Sequence, residues 1–152
     1  MWGCITYSGP GYACQVYDGT MKATDYQDIL NTTYRESMEY YDFDWSEYYF
    51  QQDNDPKHKA ASTLKWMNKQ GINVFQGWPA QSPDLNPIEH VWHHLKSKLS
   101  EYSTRAKGVH DLWERVDKEW NSITEEECRR YIDSMPARIK AVLDAKGGPT
   151  KY

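Results

Sequence analysis

Cysteine is scarce in this 152-residue chain, and the three present, Cys4, Cys14 and Cys128, follow no metal-ligand spacing. That excludes a disulfide-stapled scaffold and a sulfur-ligated zinc site, and predicts free thiols, as in a reducing compartment. No apolar run approaches the roughly 20 residues of a membrane-spanning helix, so no membrane partner is expected. There is no internal repeat and no low-complexity linker, which leaves one domain over 1–152. Basic residues are nearly absent from the first third: residues 1–55 hold ten acids and two bases. That segment excludes itself as a footprint for a phosphate backbone.

What is present has a different character. Seven Trp and twelve Tyr favour a folded chain over a disordered one. Residues 56–110 reverse the charge balance, with eight bases and three acids. Lys57, Lys59, Lys65, Lys69, Lys96 and Lys98 there have the sign that a nucleic acid requires, although an ordinary solvated helix face has the same composition.

The residue pattern predicts strands early and helices late. Trp2–Tyr7 and Tyr12–Tyr17 read as a hairpin around Ser8-Gly9-Pro10-Gly11, with Asp18-Gly19 closing the second strand. Thr24 is placed to cap a helix from Asp25, and Glu39–Tyr48 reads as an acidic, aromatic surface loop. A strand is expected over Trp45–Gln52, ended by Pro56, and a short buried one over Ile72–Phe75. Between them Lys57–Lys69 reads as a helix, with Gly71 as its left-handed cap. Leu85, Ile88, Val91, Trp92, Leu95 and Leu99 recur at three and four spacing, with Asp84 as a candidate cap and Pro87 in the first turn. Two further helices are expected, one facing the core with Val109, Leu112, Trp113, Val116 and Trp120, the other opened by the capping box Thr124-Glu125-Glu126-Glu127. Pro136 restarts a last helix that stops at Gly147-Gly148.

Two carboxylates stand out. Asp53 closes the run Tyr49-Phe50-Gln51-Gln52, and Glu89 lies in the first turns of a predicted helix. Acids on rigid elements suit hard divalent cations, which take oxygen ligands. Read alone, each also has a structural explanation, as a turn aspartate and as an acid at a helix N-terminus. Their surroundings are more specific: Gln52-Asp53-Asn54-Asp55-Pro56-Lys57-His58 on one side, and Trp78-Pro79-Ala80-Gln81-Ser82-Pro83-Asp84-Leu85-Asn86-Pro87-Ile88-Glu89 on the other. These two segments, with 35 residues between Asp53 and Glu89, resemble the catalytic core of Tc/mariner-type DNA transposases.

That resemblance implies an α/β, ribonuclease-H-like mixed sheet flanked by helices, with a helical C-terminal part. It implies that Asp53 and Glu89 are the second and third acids of a metal-binding triad holding two Mg2+ or Mn2+ ions. It also implies DNA partners, both transposon ends and target, with possible contacts from Lys57, His58 and Lys59. Self-association of the transposase and a nuclear location follow from the same resemblance. In the family the first Asp precedes the stretch matching Trp2-Gly3-Cys4, so the chain is expected to be the C-terminal part of a catalytic domain. Such a part is expected to lack DNA cleavage by itself. A domesticated or decayed remnant that binds DNA or a transposase partner is the alternative. The missing first strand is expected to leave a gap in the sheet, and Asp53 and Glu89 are expected to face one another.

Overall fold

The computed structural model describes residues 1–16 and 21–152. Two strands, β1 (Trp2–Thr6) and β2 (Gly9–Cys14), are followed by a long helical stretch. That stretch is α1 (Ala23–Ile29), a π turn (Leu30–Tyr34) and α2 (Arg35–Tyr40). Then come α3 (Ala61–Gln70), a short 3-10 turn (Pro83–Leu85), α4 (Ile88–Ser100), α5 (Val109–Asn121), α6 (Glu125–Asp133) and α7 (Met135–Asp144). The chain divides into two compact units, Met1–Gly3 with Gly11–Ser82, and Cys4–Pro10 with Pro83–Tyr152.

The hairpin is tighter than expected. Its turn is Tyr7-Ser8, and Gly9-Pro10-Gly11 belongs to β2. The Thr6 hydroxyl closes the turn, donating to the Gly9 carbonyl (3.0 Å) and accepting from the Ser8 amide (3.1 Å). Gly9 has φ 131°, a conformation that glycine alone adopts easily, so the return strand starts at once. The expected strand end at Tyr17 and the Asp18-Gly19 turn lie outside the described residues.

In the first unit the core row is Tyr26, Leu30, Tyr34 and Met38, all at most 5% exposed. Steps of four in an α-helix drift around the axis, because a turn takes 3.6 residues. The π turn, marked by the Arg35 amide reaching back to the Leu30 carbonyl, takes up the surplus and keeps the row on one face. The Ser37 hydroxyl, fully buried, donates to the Thr33 carbonyl (2.6 Å) and accepts from the Tyr12 amide (2.8 Å), tying β2 to α2. Phe50 packs on Tyr34, with ring centroids 4.7 Å apart.

The expected strands at 45–52 and 72–75 shrink to one parallel bridge between Phe50 and Val74. Its bonds run from the Phe50 amide to the Asn73 carbonyl (2.7 Å) and from the Phe75 amide to the Phe50 carbonyl (2.9 Å). The hairpin is the only multi-residue ladder among the described residues. A strand needs a backbone partner along its length, and among the described residues this segment pairs at one bridge only, while Tyr49 stays 77% exposed. Helix α3 also starts later than expected, at Ala61, because 57–59 close a turn on Asp55 instead. It ends as expected at Gly71, φ 77°.

The second unit buries Val91 and Leu95 of α4, Val116 and Trp120 of α5, Ile123 and Cys128. Trp92 stacks on Trp120 with centroids 5.2 Å apart. The capping box forms: the Thr124 hydroxyl accepts from the Glu127 amide, and the Glu127 carboxylate accepts from the Thr124 amide. Asp84 does not cap α4. Pro87 holds the N-cap position, and Asp84 sits in the preceding 3-10 turn. None of the three cysteines forms a disulfide among the described residues, and burial pushes the Cys128 thiol up to about 11. On α5 the apolar face is buried only toward its end, since Val109 and Leu112 are exposed. Trp120→Ala should therefore cost about 3–5 kcal/mol in denaturant unfolding, and Leu112→Ala under about 0.5 kcal/mol. Equal losses would place the core elsewhere.

Candidate functional site

The placement of Asp53 in the first unit follows directly from the Phe50 bridge. Phe50 is buried and anchored on both sides by backbone bonds, so the chain leaves it in a fixed direction. Gln52 comes next, and its carbonyl oxygen Oε1 accepts the Tyr26 phenol proton at 2.6 Å. Burial, reinforced by the charge of Asp53, raises the Tyr26 phenol well above its ordinary value, so it stays a donor. The Gln52 amide nitrogen lies 3.5 Å from the His58 carbonyl.

Asp53 is exposed at the start of the turn. Its Oδ1 accepts from the Asp55 amide (3.1 Å) and meets His58 Nδ1 at 2.7 Å. A carboxylate only accepts, so Nδ1 carries the hydrogen in this contact. The His58 ring is nearly covered, lying 4.0 Å from the Tyr26 ring centroid. Burial pushes the imidazole below its ordinary value, outweighing the pull of Asp53 in the other direction. No hydrogen bond engages Asp53 Oδ2 among the described residues. One oxygen is thus fixed by the protein, while the other is open.

The neighbours of Asp53 build the turn. Burial alone would raise the Asp55 carboxyl, but the Lys57 amide (3.0 Å) and ammonium bind it and hold it below the usual range. Asp55 also receives the His58 and Lys59 amides on its carbonyl. Asn54 donates to the Trp78 carbonyl (2.9 Å), which ties the two sequence motifs together inside this unit. Lys59 is exposed and has no such tie.

Glu89 lies in the second unit, on the first turn of α4. The Asn86 amide bonds to the Pro83 carbonyl (3.0 Å) and the Glu89 amide to the Asn86 carbonyl (3.1 Å), so the turn leads straight into the helix. The side chain is exposed, where the helix dipole favours an anion, and no hydrogen bond engages its carboxylate among the described residues. His93, one turn on, is exposed too, and His94 lies 3.8 Å from Glu127. No three His, Cys, Asp or Glu side chains converge on one point among the described residues. The open carboxylate oxygens of Asp53 and Glu89 each have the hardness that Mg2+ or Mn2+ requires.

Residues 1–112 match the family model described as DDE superfamily endonuclease. The chain belongs to this family. This DDE chain is 38% identical, over its whole length, to the transposable element Tcb1 transposase of Caenorhabditis briggsae, covering 54% of that protein. It is 35% identical to the Tc1 transposase of Caenorhabditis elegans, again covering 54% of it. The Tc/mariner resemblance of the two motifs therefore extends over the chain, which spans about half the length of these relatives. Its fold is that of the Mos1 transposase catalytic domain. The structure of that domain with Raltegravir and Mg superposes with a TM-score of 0.80 at 23% identity, over 95% of this chain and 73% of the other. The Mos1 paired-end complex with left transposon end gives 0.84 at 20% identity, over 98% and 44%. The DDE chain thus has the ribonuclease-H-like architecture, here with a small sheet and many helices.

Asp53, Lys57 and His58 lie within the first motif and Glu89 in the second, while Lys59 lies just beyond the first. Tyr26 and Gln52 were not singled out. Gln52 stands inside the first motif beside Asp53, which was the available signal; Tyr26 had none beyond its place on an apolar face.

The His58 environment has a consequence for pH. Its folded pKa lies below the unfolded value of about 6.5, so the unfolded chain takes up the proton first as pH falls. Stability should be complete above about pH 7 and decline as pH drops through 6.5 towards the folded value. His90, held low by burial and then by the Arg138 charge, adds its own share. Urea unfolding between about pH 7.5 and 5 should show the decline, reduced in His58→Gln. An unchanged slope in that variant would contradict the buried, neutral imidazole.

Proposed function

We propose that this chain supplies two metal-binding carboxylates, Asp53 and Glu89, to a transposase catalytic domain that cuts and joins transposon-end DNA by phosphoryl transfer. The observation that carries this reading is the Asp53 carboxylate, exposed, fixed through Oδ1 by His58 and open at Oδ2. Such a group is oriented without being neutralised by a cation of the protein. Support comes from the relatives, which are transposases, and from Mos1 structures, among them the catalytic domain with Mg and a paired-end complex with Mn.

Two Mg2+ or Mn2+ ions would stabilise the attacking and leaving oxygens of an in-line displacement. The carboxylates bind the ions and form no covalent bond to DNA. Asp53 and Glu89 account for two of the three family acids, so a further carboxylate belongs to the complete site. The DNA partners in this reading would be transposon ends and target, and self-association of the transposase belongs to the same reading. Lys59 is the basic residue near Asp53 that is free to meet a phosphate, while Lys57 and His58 act by holding the loop. Action on chromosomal DNA would call for a nuclear location.

Mn2+ titration followed by water-proton relaxation tests the ligand assignment. Asp53→Asn and Glu89→Gln should each weaken binding by at least about tenfold. Binding that survives both changes would sink it. No specific Mg2+-dependent cleavage of transposon-end DNA is expected from this chain by itself. Cleavage that is lost in Asp53→Ala would reveal a substitute third carboxylate.

A further inference from the structure

Arg138 of α7 is 1% exposed, although a guanidinium is rarely buried without a carboxylate partner. No carboxylate bridges it among the described residues. Its donors go instead to neutral oxygens, with Nη1 bonding the Asp84 carbonyl at 2.8 Å and Nε the Ser134 hydroxyl at 2.6 Å. The Ser134 hydroxyl in turn donates to the Tyr131 carbonyl. The guanidinium carbon Cζ lies over the Tyr152 ring, 4.7 Å from its centroid. Burying a charge in this way is costly, and the hydrogen bonds and ring offset that cost only in this one arrangement. A side chain so placed specifies geometry.

What it specifies is the lead-in to Glu89. The carbonyl it holds belongs to the 3-10 turn Pro83–Leu85, and the Asp84 side chain is held separately, accepting from the Thr150 hydroxyl at 3.1 Å. The turn is therefore gripped by its backbone from α7 and by its side chain from Thr150. Tyr152 reaches further, with its ring centroid 6.3 Å from that of His90, the residue after Glu89. Asn86 and Glu89 then follow from the turn by successive backbone bonds. All of these groups lie in the second unit.

We infer that Arg138, braced by Tyr152 and Thr150, is a positioning residue that fixes the Pro83–Leu85 turn and so aims Glu89. The inference rests on Glu89 being a metal ligand, as proposed above. It gives the last helix and the segment after it a part in the site, which neither motif contains. Arg138 itself touches no reacting atom. Lysine would not replace it, since a compact ammonium lacks the planar fork whose separate nitrogens reach the Asp84 carbonyl and the Ser134 hydroxyl.

Two measurements on the whole 152-residue chain test this. The first is amide exchange at Asn86 and Glu89, with Val116 and Trp120 of α5 as the control for folding. The second is backbone cutting by Fe2+ with ascorbate and peroxide, in which iron stands in for Mg2+ and cuts near its ligands. Tyr152→Ala should speed exchange at Asn86 and Glu89 by about tenfold or more, leave Val116 and Trp120 protected, and lower cutting near Glu89 relative to Asp53. Arg138→Met should do the same more strongly. Tyr152→Phe, which keeps the ring, should restore the unaltered pattern. Where Arg138→Met also opens α5, Tyr152→Ala alone decides. Unchanged exchange in Tyr152→Ala would overturn the proposal, as would faster exchange with an unchanged ratio of cuts. Absence of cutting at both acids in the unaltered chain would refute the metal reading instead, and exchange would then decide whether the brace orders the turn.

Discussion

A phenol taken out of water must find an acceptor, and the Tyr26 hydroxyl finds one in Gln52. Much of the first unit hangs on that pairing. The same side chain that donates to the residue before Asp53 covers the imidazole that binds Asp53. The backbone at Phe50 is fixed by only two bridge bonds. A fully formed strand would have held this segment by a ladder. Here a buried aromatic side chain, held in place by the row Leu30, Tyr34 and Met38, takes over part of that task.

The two candidate acids are prepared differently. Asp53 is restrained through its own side chain by two donors, so its orientation is set at the carboxylate. Glu89 has no such partner among the described residues, and its orientation is set at the backbone, by the turn that launches α4. Restraining an acid by one oxygen leaves the other for a ligand; restraining it by the main chain leaves both. The hydrophobic stripe of α4, with Val91 and Leu95 buried, supplies the rigid base in the second case.

Local signals were legible at some caps and not at others: Thr24 lies inside α1, whose N-cap is Lys22, and Asp84 does not cap α4. Gly71 takes the left-handed cap, Thr124 and Glu127 form their reciprocal box, and the three-four spacing of α4 produces a buried face. The two acidic motifs were legible because long, ordered residue strings carry them. Strands were less legible, since pairing is a property of two distant segments: Trp45–Gln52 and Ile72–Phe75 have strand-like composition but meet at one bridge. The same non-locality hid the start of α3, where Asp55 competes for the amides of His58 and Lys59. It also hid Arg138, which reads as a solvent-facing helix residue until Asp84, 54 positions away, is brought beside it.

The π turn between α1 and α2 can be restated as arithmetic. From Tyr26 to Met38 is twelve residues, and twelve α-helical steps would leave the two side chains roughly 120° apart around the axis. Eleven such steps leave them only roughly 20° apart. The bulge is the place where one surplus residue is stored, so that both ends of the helix face the same core. Shortening the chain by one residue within 30–34 would remove the bulge and keep that alignment. The same loss within 35–38 would turn Met38 off the core and bring a polar neighbour in. The helix therefore has one site where its length is negotiable, set between flanks where it is not.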